Sequence, residues 1–264
     1  MKPNYKNWMP KGMILGTMGG AVACLVMFLI FGVSGLLAVG TLKTILKIVF
    51  LILTIALSLV ALWMWLLYRA FSYDGKRQMS KQIIEGVSKY VTLPEGGKGL
   101  DVGCGSGALT IAVAKRNPQA EMVGIDRWGT EYASYSRTLC EENAKAEGVG
   151  THTSFVKGNA LKLEFPDETF DAVTSNYVYH NIPSRDRQSI LLETLRVLKK
   201  GGTFVIHDIF SRLMYGNMQN FAQRLKEMGY EEVELIDTTQ GMFMCPWEAK
   251  WMTLSGSAIL KGKK

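Results

Sequence analysis

Hydrophobic and polar positions divide the chain near residue 70. No charged residue lies between Lys11 and Lys43, a run of 31, or between Lys47 and Arg69, a run of 21. A bilayer core is crossed by about 20 apolar residues as helix, so the pattern predicts two transmembrane helices, over about 13–40 and 47–69. Thirteen of the residues in Ile48–Tyr68 are Leu, Ile, Val or Phe. On the insertion scale they contribute about −4 to −8 kcal/mol. Neither run has a polar face, which argues against a buried hairpin of a soluble protein. The small residues of Ala21-Val22-Ala23 resemble a cleavage site, yet the apolar run continues past them, which suits a span better than a signal peptide. Gly12, Gly16 and Gly20 repeat every fourth residue on one helix face. That small-residue stripe lets helix backbones approach, either within the hairpin or in a homo-dimer.

Beyond residue 70 the pattern changes. A linker over 71–97 contains an amphipathic helix, Ser80–Val91, that Pro94-Glu95-Gly96-Gly97 breaks. Strand and helix patterns then alternate over 98–264. Strands are predicted at Gly99–Val102, Met122–Ile125, Thr153–Val156, Phe170–Ser175, Thr203–Ile206, Val233–Ile236 and Leu254–Leu260. Helices are predicted at Ala108–Arg116, Glu131–Glu147, Arg187–Lys200 and Met218–Met228. Such alternation gives a doubly wound α/β sheet, mostly parallel, with helices on both faces. Its ligands bind beyond the carboxyl ends of the strands, near the switch point.

Charge alters the picture only once it is located. The net charge is +7, but residues 1–73 carry six basic groups and no acidic one. The remainder holds 24 basic and 23 acidic groups. The basic excess therefore borders the apolar runs and forms no nucleic-acid face. The lysines near the N-terminus and the basic cluster after the second run favour both ends in the cytoplasm, with Lys43 and Lys47 in a short outer loop. This predicts an integral membrane protein with a cytoplasmic domain, its partners the lipid bilayer and a small or lipophilic molecule. The four cysteines are far apart and form no zinc spacing, so no metal site is expected and free thiols are.

The first strand runs into Asp101-Val-Gly103-Cys-Gly105-Ser-Gly107-Ala108. Glycines in a strand-to-helix turn admit a ligand to the backbone, and the helix N-terminus attracts its anionic group. Gly103, Gly105 and Ala108 also meet the relaxed dinucleotide fingerprint, which alone does not separate NAD from other nucleosides. Gly107 adds a glycine that the NAD pattern does not need. Asp101 places a carboxylate at the turn that repels pyrophosphate and suits the ammonium of a methionine moiety. Asp126, ending the second strand, is placed to take two ribose hydroxyls.

These segments resemble the class I S-adenosylmethionine (SAM) dependent methyltransferases, in the small-molecule branch that includes quinone C-methylating enzymes. Gly99–Ala108 is similar to their first motif and Val123-Gly-Ile-Asp126 to their second. Lys157-Gly-Asn159-Ala160 resembles the segment bordering the adenine, with Asn159 where the family usually has Asp. Phe170–Asn176 resembles the motif beside the transferable methyl, and Leu195–Gly202 the approach to strand five. The resemblance covers about residues 76–262 and leaves out the two spans. It implies seven strands with the last antiparallel, and SAM as cofactor. It implies a pocket with Asp101, Gly103, Gly105, Gly107, Asp126, Asn159, Ala160 and Asn176 as binding residues.

The sulfonium is already activated, so such a site must mainly hold donor and nucleophile in line. His180, five residues after Ser175, is the first candidate base, and His207 with Asp208 the second. Each histidine also suits a hydrogen-bonded structural role. The apolar segment Met242–Trp247, with Trp251 and Met252, is expected either to roof a greasy pocket or to fill core. Two other functions share these features: an NAD-dependent oxidoreductase and a non-catalytic SAM-binding membrane sensor. A chain starting near Ser72 is expected to be soluble and to bind SAM, since the glycine-turn and acidic positions all lie later.

Overall fold

A computed structural model describes residues 2–35, 40–129 and 134–264. The chain forms two compact units, Asn7–Gln78 and Met1–Lys6 together with Met79–Lys264. The first six residues thus belong with the later part of the chain and not, as the apolar pattern suggests, with the helices that follow them.

In the Asn7–Gln78 unit, α1 spans Lys11–Met27 and continues as a π-helical turn over Phe28–Val33; α2 spans Thr41–Phe71. Both are long and apolar enough to cross a membrane. The first ends earlier than expected. Ser34 N–H closes the π turn on Leu29 O at 2.9 Å, and Lys43 Nζ donates to Ser34 O at 2.8 Å. Residues 36–39, the end of the expected first span, lie outside the described residues. The second helix starts earlier than expected, at Thr41. Gly20 faces α2, where an added Cβ would lie 3.5 Å from Leu57. Gly12 and Gly16 have nothing within 4 Å at the Cβ position.

The other unit opens with α3, Met79–Ser88. Its sheet holds seven strands: β1 Lys98–Val102, β2 Glu121–Asp126, β3 Thr153–Lys157, β4 Phe170–Asn176, β5 Leu198–Ile209, β6 Glu231–Asp237 and β7 Ser257–Lys263. Their order is β3-β2-β1-β4-β5-β7-β6, with β7 antiparallel to both neighbours and the other pairs parallel. The order reverses between β1 and β4, which makes their carboxyl ends the switch point. Helices α4 (Ala108–Arg116) and α5 (Arg137–Ala146) pack on β1–β3, α6 (Arg187–Arg196) on β5 and α8 (Met218–Glu227) on β6. The central strands are buried on both faces, with Leu100, Val102, Val173 and Phe204 fully enclosed.

Three boundaries differ from the pattern, each for a local reason. Helix α5 begins at Arg137, where Ser136 Oγ accepts from Leu139 N at 3.1 Å; Glu131–Ala133, the first residues of the expected helix, lie outside the described residues. Helix α6 ends at Arg196, because Leu198 already pairs with Phe170 while Thr203 pairs with Ala172. Gly201-Gly202 therefore sits in a bulge of β5 and is not a helix stop. Gly201 has φ 77°, and a Cβ on Gly202 would lie 2.9 Å from Asp171 O. Strand β7 begins at Ser257, because Leu254 N still closes a turn on Ala249 O and Gly256 reverses the chain at φ 88°. Two short helices, α7 (Arg212–Tyr215) and α9 (Pro246–Trp251), were not legible in the periodicity.

Candidate active site

The glycine turn follows β1 and is fastened to β2. Gly103 N and Cys104 N both donate to Ile125 O, at 2.8 and 2.9 Å. Gly103, Gly105 and Gly107 have φ of 76°, 56° and 81°, a region that side chains disfavour. Gly103 also serves close approach, since its Cβ would lie 2.4 Å from Val178. Gly105 is different: among the described residues its Cβ would meet only Tyr135, at 3.6 Å. The turn is therefore open at Gly105, where a ligand can reach the backbone.

Asp126 ends β2 beside this opening. Its Oδ2 accepts from Gly105 N at 2.9 Å and its Oδ1 from Trp128 N at 2.8 Å. A carboxylate has about four lone-pair sites, so two remain for hydroxyl donors. Gly105 O accepts from Trp128 Nε1 at 3.0 Å and from Cys140 Sγ at 3.2 Å. Trp128 and Cys140 thus fix the turn. Cys140 and Cys104, distant in sequence, have neighbouring thiols, and burial pushes that of Cys104 up. Neither contact had a sequence signal.

Asp101 does not open onto the mouth of the turn. It is 1 % exposed, and its oxygens accept from Thr110 Oγ1 at 2.6 Å and Thr174 Oγ1 at 3.1 Å. Burial raises its pKa to about 6. Its place is behind the turn, joining β1 to the first turn of α4 and to β4, which removes the exposed position expected for an ammonium partner. Asn159 and Ala160 follow β3 on the Asp126 edge, where Gly158 N donates to Asp126 O at 3.0 Å. Asn159 is exposed, with Oδ1 accepting from Leu161 N at 3.0 Å; Ala160 is half-buried against the core.

Across the switch point, β4 and β5 carry the histidines. Val178, packed on Gly103, joins this side to the glycine turn. His180 lies in a 3-10 turn, Tyr179–Asn181. Its Nδ1 is 2.6 Å from Asp208 Oδ1. Toward a carboxylate Nδ1 is the donor, and in the neutral tautomer that makes this bond Nε2 is the acceptor. Asp208 is fully buried and also accepts from Tyr179 N at 2.8 Å and Ile209 N at 2.7 Å. The His180 side chain remains 19 % exposed. Arg187 holds the turn by donating to Tyr179 O at 3.2 Å and Ser184 O at 3.0 Å.

His207 has another character. It is fully buried, with Nδ1 2.8 Å from Asn176 Oδ1 and Nε2 3.0 Å from Thr238 Oγ1. Burial lowers its pKa to about 3, so the ring is neutral with both nitrogens engaged. That environment gives it a structural part and withdraws it as a candidate base. Asn176, at the end of β4, is tied to it. Tyr177, which the sequence did not single out, packs its ring 4.6 Å from His207 and 5.9 Å from His180. It does so at a strained φ of 54°. The apolar segment divides: Phe243 is buried with its ring edge toward His207, while Met242 and Trp247 are 43 % and 70 % exposed.

Comparison with known proteins agrees with this architecture. Residues 100–206 match the family model of the methyltransferase domain. A demethylmenaquinone methyltransferase of Anoxybacillus flavithermus is 39 % identical over 121 residues, 44 % of this chain and 46 % of that protein. Its Bacillus subtilis counterpart is 31 % identical over 150 residues, 56 % and 61 % of the respective chains. The chain spans about half the length of these curated relatives. Among solved structures, geranyl diphosphate methyltransferase in complex with GPP and sinefungin superposes with a TM-score of 0.56 at 13 % identity, covering 74 % of this chain and 81 % of that one. Residues 100–206 thus form a methyltransferase domain, built on this sheet and glycine turn and similar to those of the class I SAM-dependent methyltransferases.

Proposed function

We propose that the protein is a membrane-anchored methyltransferase acting on a lipophilic acceptor, with a quinone-type ring carbon as the leading choice. One observation carries the catalytic part: the half-buried His180, paired with buried Asp208, shares an edge with the open glycine turn, and Val178 against Gly103 joins them. SAM supplies a methyl group on a sulfonium, ready for in-line displacement. The residues of the chain have two tasks. Gly105 and Asp126, with Asn159 and Ala160 on the same edge, bind the nucleoside. On the acceptor side, His180 Nε2 takes a proton from a ring hydroxyl, which raises electron density at the neighbouring carbon. Asp208 keeps the imidazole in the required tautomer and stabilises its charged form. The relatives named above are demethylmenaquinone methyltransferases, and this motivates the choice of acceptor.

The membrane reading is supported by what the Asn7–Gln78 unit exposes. Leu15, Val22, Ile52 and Leu59 are each about 60 % or more exposed. Its Lys11/Tyr68 end bears an aromatic and basic belt: Lys11 lies 5.6 Å from the Tyr68 ring, Arg69 4.9 Å from that of Trp65, and Trp8 packs on Phe71. Such belts sit at membrane interfaces. Residues 4 and 5 hydrogen-bond to Asn143 and Ser106 of the domain, which supports a hairpin that returns the chain to the side it left. The lysine and arginine distribution favours the cytoplasm for that side. The test is a carbonate wash of membranes holding the full chain. Retention in the pellet is the expected result; release into the supernatant contradicts the spanning helices.

A further inference from the structure

The segment before the first apolar helix is bound to the glycine turn. Ser106, between Gly105 and Gly107, donates its Oγ–H to Tyr5 O at 2.8 Å. Asn143 on α5 accepts from Asn4 N at 2.7 Å and donates through Nδ2 to Asn4 O at 3.1 Å. The same Nδ2 donates to Ser106 O at 3.0 Å. Tyr5 is 6 % exposed, and its hydroxyl donates to Glu147 Oε1 at 3.2 Å. Glu147 in turn pairs with Lys115 of α4. Asn4 Oδ1 accepts from Lys6 N at 3.2 Å, and Lys6 has φ 57°, so the chain turns sharply as it leaves.

From this arrangement we propose that residues 2–6 form a clip that positions the SAM-binding turn, so that cofactor affinity depends on the stretch of chain leading into the membrane anchor. The inference rests on the cofactor reading above and adds a part to it. The turn has three positive-φ glycines, which leave its backbone free to adopt other shapes. Its open face must keep Gly105 N toward Asp126. The clip holds the turn through Ser106, and Asn143 bonds both sides of that contact. Of the four bonds described between residues 4–5 and the domain, three are made by the clip's backbone and one by the Tyr5 hydroxyl, so the path of the chain makes most of that contact. Ser106 and Asn143 are positioning residues: they act on SAM through the turn. A chain starting near Ser72 lacks the clip, and weaker SAM binding replaces the affinity first expected of it.

The test uses the full-length protein in detergent and a variant lacking residues 2–5. SAM affinity is measured by calorimetry, KM for SAM and kcat by methyl transfer, and amide exchange is followed at 103–107 without ligand. The deletion is expected to raise Kd and KM for SAM about tenfold, as for the loss of two or three net hydrogen bonds, and to leave kcat at saturating SAM within about twofold. Exchange at 103–107 should quicken. Asn4→Pro, which removes the N–H donated to Asn143, should follow the deletion, whereas Asn4→Ala, which keeps it, should lie near wild type. Unchanged SAM affinity together with unchanged exchange at 103–107 overturns the clip. Failure of the wild-type chain to bind SAM overturns the cofactor reading instead, and exchange at 103–107 still decides whether the clip orders the turn.

Discussion

The two sides of the switch point hold their key residues in different ways. On the β1–β2 side the parts lie close together in sequence: Gly103, Gly105 and Gly107 within one turn, and Asp126 bonded to Gly105 N from the next strand. On the β4–β5 side, His180 is fixed by Asp208, 28 residues away, and Asn176 by His207, 31 residues away. The β1–β2 side is a backbone device, whose conformation glycine permits. The β4–β5 side is a side-chain device, in which burial sets the environment of each imidazole. His180 stays partly exposed with Nδ1 on Asp208, while His207 is buried with both nitrogens engaged. The same residue type thus stands beside a buried carboxylate in one place and forms a structural link in the other.

The largest separation between the sides is expected from His180→Ala. Loss of a general base lowers turnover by roughly 10²–10⁴-fold, and SAM affinity by calorimetry should stay at wild type. A variant with wild-type turnover would leave His180 a structural residue. Gly105→Val acts on the other side. Strain at positive φ costs about 1–3 kcal/mol, and the side chain fills the ligand's approach, so SAM affinity should fall by on the order of 100-fold. A folded variant that binds SAM normally would disconnect the turn from the cofactor. Asp126→Ala should weaken SAM binding by about 1–3 kcal/mol, because it removes the acceptor for two hydroxyls and the bond to Gly105 N.

The smallest effect on turnover is expected from His207→Gln, and its signature is pH. The folded pKa of about 3 lies below the unfolded value near 6.5. The unfolded chain therefore binds the extra proton first as pH falls. The contribution of His207 to stability is complete above about pH 6.5 and is lost progressively toward pH 3. Asp101, raised to about 6, acts in the opposite sense between its ordinary value and pH 6, where the folded state holds the proton. Removing His207 should flatten the decline of thermal stability from pH 7 to pH 5, with turnover changed by less than about tenfold. An acid decline as steep as that of wild type would show that His207 is not the buried neutral group.

Legibility followed the same division. The glycine turn, Asp126, the strand-helix alternation and the two apolar runs could be read because each is written in contiguous residues or a local period. The mouth position assigned to Asp101 could not be checked locally, since its burial depends on Thr110 and on Thr174, 73 residues away. Trp128 and Cys140 gave no pattern, because each acts by reaching back to one carbonyl, Gly105 O. The clip was illegible for the same reason: Ser106 and Tyr5 are 101 residues apart, and the bond accepts on backbone oxygen. The end of α6 at Arg196 was displaced by β-sheet pairing, which local propensity does not encode, and the start of β7 at Ser257 by the turns before it.

The central claim is transfer of a methyl group to a lipophilic acceptor by His180-assisted displacement at the glycine turn. The most direct measurement incubates the purified full-length protein with methyl-labelled SAM and a membrane lipid extract, followed by mass spectrometry of the products. The account predicts label in a quinone-type lipid that has gained the mass of one methylene, with the methyl on ring carbon, and its loss in the His180→Ala protein. Binding of SAM with no labelled product in any lipid or metabolite fraction would contradict it and identify the domain as a SAM sensor.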